Sequence, residues 1–464
     1  MTLPRIWREI RATWHLAWPI MIGQLAQVGT AFVDAVMAGH VSAGDLAAVS
    51  VGASVWITVI VTMIGLLLAS SPLIAHAVGA NDTKRIPGLV QQAFYQAAMF
   101  TVVGLCLVWL AMPIFNHLGL TPDVADKARR FLGAVAWGLP AFSFFRVCYS
   151  YSASLNSTKP LMVIALLGLA LNVPVNWILI YGHFGFPALG GVGCGYATAF
   201  CLWASAVMML AWMRFSPVYR ETYPLRHWVR IDWHRQRELL KLGVPMGLMF
   251  FVEVSAFAGI SLLIARLGTV PVAAHQIALN FASLVFQIPA ALGTALTVRV
   301  GQALGAGQPQ DARFIGWAGF KMGVAAAAVS GLFTAFGHGW VASWYTEDAQ
   351  VLALASLLLV YAAFFQLFDS TQVVAAGILR GYKVTRTPMI IHLTAFWVIG
   401  LPLGYALTFG VGDTIVGRGA VGYWEALVVA LGFTAVMLTL QFARVSQRAV
   451  AREKAALRVT EQAL

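Results

Sequence analysis

Apolar runs long enough to cross a bilayer recur along the whole chain, each closed by glycine, proline or charge. They fall at roughly 13–39, 46–78, 90–115, 131–154, 160–181, 189–213, 239–265, 272–304, 314–336, 351–378, 388–409 and 419–443. A spanning helix needs about 20 apolar residues. The pattern therefore predicts an all-α polytopic membrane protein with twelve transmembrane helices. Two of the runs are long enough to tilt or to project beyond the bilayer.

A few polar residues interrupt these runs, and they carry the candidate chemistry. Leu242–Leu263, LGVPMGLMFFVEVSAFAGISLL, holds Glu253 near its middle among Phe250, Phe251, Val252, Val254 and Phe257. A charge at that depth costs about 2.5 kcal/mol or more, and such groups face a bundle interior or a wet cavity on an ion, proton or substrate path. The bland alternative is a carboxyl kept neutral by an internal hydrogen bond. Asp369 is a second acid of this kind, in FFQLFDSTQVV, with Phe365 and Gln372 on its face. Two such acids in one half can converge on a cation. Hard oxygen ligands suit Na⁺ as they suit Ca²⁺ and Mg²⁺, and burial beside another acid equally suits a carboxyl to hold a proton.

The first run carries Gln24, Gln27, Thr30 and Asp34 at spacings that line one helix face. In LALNVPVNWIL, Asn172 and Asn176 lie one turn apart around Pro174. The proline frees a backbone carbonyl, and the two amides can complete a network around an acid. Interhelical glue is the competing reading. Gln276, Asn280, Ser283 and Gln287 form another polar stripe, read as cavity lining with the same structural alternative.

The two halves are related. Pro19 aligns with Pro245 at an offset of 226, which also brings Ala47-Ala48 onto Ala273-Ala274 and Val78-Gly79-Ala80 onto Leu304-Gly305-Ala306. Pro174 meets Pro402 and Gly182 meets Gly410 at an offset of 228, and Gly195-Tyr196 meets Gly422-Tyr423 at 227. Small-residue helix packing alone would not hold a register that long. Under the 226 offset Gln27, not Asp34, aligns with Glu253, so the acids differ between the halves. Six spans per half return the chain to the side it began on. The repeats are thus expected to be related by a pseudo-two-fold along the membrane normal, with a substrate site near the midplane. The expected organisation is an N-lobe at 1–213, a basic cytoplasmic linker at 214–238, and a C-lobe at 239–464 with a short basic tail.

Charge sets orientation and excludes other classes. Only 10% of residues are charged and 60% are hydrophobic, against about 25% charged in a soluble domain. The net charge of +12 could suggest nucleic acid, but the basic residues lie in loops between apolar runs. Of the 30 Lys and Arg, twenty-three fall on one side and five on the other, and Arg146 and Lys321 lie within spans. The bias predicts cytoplasmic termini. Lys321 is expected to snorkel, and Arg146 to pack near Tyr149 and Ser150. The basic amphipathic N-terminus runs straight into the first span, so no removable signal peptide is expected. Arg214–Arg237 makes anionic-lipid contact natural.

Cys106, Cys148, Cys194 and Cys201 lie in apolar runs without metal spacing. No zincin motif and no P-loop occurs. The glycine run 190–195 follows no strand and reads as close helix packing. Asn81-Asp82-Thr83 and Asn156-Ser157-Thr158 match the glycosylation pattern but are expected on the cytoplasmic side.

Several stretches together resemble a known family: FVDAVMAGHVSAGDLAAVSVG (32–52), FFVEVSAF (250–257), AAHQIALN (273–280), IPAALGTALTVRVGQALGAG (288–307) and FDSTQVVAAGILRGYK (368–383). They are similar to the NorM-type branch of the multidrug and toxic compound extrusion (MATE) family, from about residue 10 to 445. The resemblance implies two six-helix lobes around a V-shaped cavity and export of organic cations, drugs and dyes among them, in exchange for Na⁺ or H⁺. It places Glu253 and Asp369 at the C-lobe cation-binding acids, with Na⁺ as a possible metal, and Asp34, Asn172 and Asn176 in an N-lobe coupling network. Gln27, Gln276, Asn280, Gln287 and Phe365 are the further cavity candidates. Phe365 departs from the family, where a tyrosine is expected to donate an oxygen; a ring there can still attract a cation. The expected protein is a monomeric antiporter of the bacterial inner membrane, in contact with lipid, with no cofactor and no nucleic-acid partner. A lipid-linked sugar flippase of the same superfamily is the alternative, disfavoured because a pyrophosphate headgroup wants a cationic cavity. An intramembrane enzyme lacks any nucleophile–base or metal constellation.

Overall fold

The computed structural model describes residues 3–117, 119–411 and 416–463. Its helices are α1 (Leu3–Val41), α2 (Ala43–Leu67), α3 (Ser70–Gly79), α4 (Ile86–Ala111), α5 (Pro122–Ala136), α6 (Leu139–Ser154), α7 (Lys159–Tyr181), α8 (Gly191–Phe215), α9 (Trp233–Ile264), α10 (Thr269–Gly305), α11 (Pro309–Ser343), α12 (Ala349–Gly381), α13 (Arg386–Leu393), α14 (Leu401–Phe409) and α15 (Ala420–Ala463). Eleven spans among the described residues are long and apolar enough to cross a membrane. The pair α5–α6, bent by 44°, makes a twelfth. The chain is all-helical and two-lobed.

Where a predicted run is broken, proline accounts for it. The run at 46–78 divides between α2 and α3, because Pro72 has no N–H to extend the ladder. Ser70 Oγ caps the break by donating to Leu67 O at 3.1 Å. The run at 131–154 begins past the middle of α5, whose first turns are too charged to read as a span. Pro140 then opens α6 after the bend at Trp137-Gly138. Between α13 and α14 the chain widens into a π-turn at Thr394–Gly400, just before Pro402. Such bulges re-satisfy backbone groups that a proline leaves without partners.

Two compact units divide the chain: Trp18–Leu248, and the residues up to Ala17 together with those from Met249 on. Both α1 and α9 therefore contribute residues to both units. In the first, Ala38, Ala48, Val49, Phe131, Leu132, Ile180 and Cys194 share a core. In the second, Trp424 lies at the centre of a core with Ile260, Phe281, Leu358, Phe365 and Tyr423. Trp424 Nε1 donates to His275 Nδ1 at 3.2 Å, and His275 Nε2 meets Ser261 Oγ at 3.2 Å. With Nδ1 accepting, the neutral ring carries its proton on Nε2 and donates it to the serine.

The basic N-terminal end of α1 docks within the second unit. Arg5 pairs with Asp311 at 2.5 Å and lies 4.2 Å over the Phe314 ring, and Glu9 pairs with Arg299.

The segment between α8 and α9 is bound tightly to the first unit. Val229 N and Asp232 N donate to the side-chain oxygens of Gln91 and Gln92 at 2.8 and 3.0 Å. Gln91 donates to Pro224 O and His227 O, and Gln92 to Arg230 O at 2.8 Å. Tyr151 adds a bond to Thr222 O at 2.8 Å, and the buried Tyr219 hydroxyl meets Ser152 Oγ at 2.6 Å. Buried backbone needs such partners, and these side chains supply them.

Candidate functional site

Each unit encloses one acid network. In the first, α1 presents Asp34 to α7 and α8. Asn172 and Asn176, one turn apart on α7, both donate to Asp34 Oδ1, at 3.1 and 2.6 Å. Thr198 on α8 donates to Oδ2 at 2.8 Å. Asn176 also donates to Asn172 Oδ1 at 3.0 Å, which fixes the orientation of both amides. The sequence reading brought Asp34, Asn172 and Asn176 together and missed Thr198. All four residues are neutral donors or the acid itself, and the carboxyl accepts three hydrogen bonds without any basic side chain. The spare acceptor is Asn176 Oδ1, buried and without a partner.

The glycines at 190–195 let α8 approach closely. A Cβ at Gly195 would meet Phe131 O at 2.7 Å, and one at Gly193 would meet Leu179 O at 2.9 Å. Thr198, one turn on from Gly195, is thereby brought within reach of Asp34.

In the second unit, α9 carries Glu253 and α12 carries Asp369. The two helices meet through rings one turn away from each acid: Phe257 and Phe365 stand edge to face at 6.1 Å. Trp397 in the π-turn ties α9 by donating to Val252 O at 3.3 Å. Glu253 is half-buried and Asp369 is buried. Among the described residues neither forms an ion pair with Lys or Arg.

Asp369 heads a chain of buried polar groups. Gln372 Nε2 donates to Asp369 Oδ1 at 3.0 Å, and Gln372 Oε1 lies 2.8 Å from His392 Nε2. His392 Nδ1 lies 2.8 Å from Pro388 O, which can only accept. Donor arithmetic restricts this row. With the amide so turned, both ring nitrogens face acceptors, which only the doubly protonated imidazole satisfies. With the amide reversed, a neutral ring accepts from Gln372, and the amide oxygen faces Asp369, which must then carry the proton. In either arrangement the row is fully bonded only with one proton beyond those of a carboxylate and a neutral imidazole.

A cavity of about 10 Å³ adjoins Asp369, lined also by Ser330, Gln366, Ser370 and Pro289. That is room for about one water. Gln366 Nε2, buried and without a partner, belongs to this lining, while its Oε1 accepts from Thr334 at 3.2 Å. His392, Gln366 and Thr198 were the residues that sequence reasoning passed over. Among the described residues no three His, Cys, Asp or Glu side chains converge. A cation held by Glu253 and Asp369 would take its remaining ligands from amides, carbonyls or water.

The other candidates lie apart from these networks. Gln276 and Asn280 are exposed along α10, and Gln287 is half-buried and donates to Ser283 O at 2.9 Å. Gln27 is exposed on α1. Phe365 is buried in the apolar core, edge to face with Trp424 at 5.6 Å. Arg146 lies over the Tyr149 ring at 4.5 Å.

The MatE family model matches residues 19–178 and again residues 245–406. The chain belongs to the MatE family. The two matches start 226 residues apart and end 228 apart, the same offsets that relate the halves of the sequence. A probable multidrug resistance protein NorM from Chromobacterium violaceum is 44% identical over 451 residues, 97% of each chain. The fold is similar to that of the eukaryotic MATE transporter AtDTX14, with TM-score 0.86 and 19% identity over 97% of this chain and 99% of that one. It is similar also to a MOP superfamily transporter from Pyrococcus furiosus, with TM-score 0.84 and 20% identity over 95% and 96%. As a MatE protein of the NorM type this chain is a membrane transporter and not an enzyme.

Proposed function

We propose that the protein is a secondary active multidrug efflux antiporter, exporting organic cations in exchange for Na⁺ or H⁺. The observation that carries this reading is the Glu253–Asp369 pair: two acids on helices that meet through Phe257 and Phe365, with no ion pair to Lys or Arg among the described residues. An uncompensated pair of this kind favours an exchangeable positive charge, whether a metal ion, a proton or a cationic drug. When the acids are ionised and ion-free they attract the drug. Entry of the coupling ion removes that attraction and releases the drug, and alternating access returns the ion to the other side. The Asp34 network is assigned to the same cycle, because its carboxylate is held by neutral donors alone. Gln276 and Asn280, exposed on α10, are assigned to the cavity wall. The excess of basic residues on one side supports cytoplasmic termini in a bacterial inner membrane. The monomer holds both acid networks and is taken as the functional unit, in lobes at 1–213 and 239–464 joined by the linker at 214–238.

The test is ethidium efflux from proteoliposomes under an imposed Na⁺ gradient, and separately under an imposed pH gradient. Export under one gradient, lost in Glu253→Gln and Asp369→Asn at equal reconstitution, supports antiport. Unimpaired export by both variants overturns it.

A further inference from the structure

The segment from Pro217 to Asp232 joins α8 to α9, and both of these are spans. Its ends are therefore fixed at one face of the membrane. Gln91, Gln92 and Tyr151 bind its backbone from the protein side, so the backbone polarity is turned inward. The side chains of the following run, RHWVRIDWH (226–234), are mostly exposed, and Trp228 also meets the Tyr95 ring edge-on at 6.0 Å. Trp228 is 59% exposed and Trp233 73%, with Val229 and Ile231 also exposed between them. Arg226, Arg230 and Arg237 are exposed on the same stretch. The acid in the run, Asp232, is engaged by the first turn of α9: His234 N donates to it at 2.9 Å, and Arg235 pairs with it at 3.3 Å.

Exposed tryptophans with aliphatic neighbours are stable at the headgroup level of a bilayer, where an amphipathic ring satisfies both sides. Juxtamembrane arginines are drawn to anionic headgroups. A loose loop of this composition would lose conformational freedom on docking. Here the backbone is already fixed by its bonds to α4 and α6, so that cost is small. We propose that residues 226–237 form a rigid docking face for the anionic lipid leaflet. Trp228 and Trp233 seat in the headgroup layer, and Arg226, Arg230 and Arg237 contact lipid phosphates. The fit is to a lipid surface rather than to free phosphate, because the arginines alternate with apolar side chains that a soluble anion would leave in water.

Two measurements on the full-length protein test this. The first is thermal unfolding in detergent with added phosphatidylglycerol, phosphatidylcholine or inorganic phosphate. Phosphatidylglycerol is expected to raise Tm, and the other two to leave it unchanged. Arg226→Gln/Arg230→Gln/Arg237→Gln should lose most of the increment, and the corresponding triple lysine variant should keep it. An equal increment in the glutamine variant, or an equal response to inorganic phosphate, overturns the proposal. The second measurement places a fluorophore on Ile231→Cys in a Cys106→Ser background, in bilayers containing phosphatidylglycerol. Quenching by a headgroup-level nitroxide lipid is expected. A label that is not quenched shows that protein or water covers this face, and the proposal falls.

Discussion

Asp34 accepts three hydrogen bonds, and each can be removed separately. Asn176→Ala deletes the shortest of them and also releases Asn172. A hydrogen bond to a charged group contributes about 1.5–3 kcal/mol. At roughly 2–4 °C per kcal/mol for a unit of this size, the variant should unfold several degrees below the parent, as read by differential scanning fluorimetry. Thr198→Val should cost less, because it leaves both amides in place. His392 makes a different prediction. His392→Phe keeps a ring in the core but removes both of its hydrogen bonds and one of the two groups that can hold the row's extra proton. Efflux driven by a pH gradient should fall about tenfold, the equivalent of about 1.4 kcal/mol in a rate. Equilibrium binding of ethidium without a gradient should be unchanged. A matching fall in binding would show a packing role only. The sign follows from the row itself: lowering the pH supplies the proton that completes its bonds, so raising the pH should loosen Gln372. The acids were conspicuous in the sequence because charge is rare in an apolar run. Thr198 was not, because a helical threonine is commonly satisfied by its own helix. His392 was not either, since only the fold brings it to Gln372, twenty residues earlier in the chain.

At the level of elements, periodicity located the spans, and prolines set their breaks. Asp348 opens α12, the helix that carries Asp369, by accepting from Gln350 N and Val351 N at 2.9 and 3.0 Å. Asp348→Ala should cost about 0.5–2 kcal/mol, visible as a lower Tm with unaltered ion preference. Gly195 sets the distance between α8 and α5. Gly195→Val drives a side chain against Phe131 O, and overpacking of this kind costs about 1–3 kcal/mol. It should also displace Thr198 from Asp34, so transport should fall by more than the loss of stability alone explains. The charge on the first turns of α5 kept them outside the apolar run at 131–154. Its Lys127 is spoken for: it pairs with Asp123 at 3.0 Å and Asp45 at 3.3 Å. Asp45 in turn accepts from Gly191 N at 2.8 Å, which joins three helix ends through one carboxylate.

For the molecule as a whole, the repeat was legible because Pro19, Pro174 and their counterparts hold a near-constant offset, and the family match recurs at the same spacing. The charge of residues 214–238 suggested a linker, but nothing in it indicated a bound segment. Its anchors are Gln91 and Gln92, more than 130 residues away, which read as ordinary polar residues of a span. Likewise, nothing in the amphipathic N-terminus indicated that it packs with the residues from Met249 on. Glu9→Gln removes the charge facing Arg299, and Asp311→Asn the charge facing Arg5; the Glu9 pair is the less exposed. Glu9→Gln should therefore lower Tm more than Asp311→Asn does.

The Arg5–Asp311 and Glu9–Arg299 pairs also have a consequence for biogenesis. The opening turns of α1 have their docking surface on residues synthesised some three hundred positions later. Until α10 and α11 have been inserted, Arg5 and Glu9 lack these two partners. Their capture therefore waits for the second half of the chain.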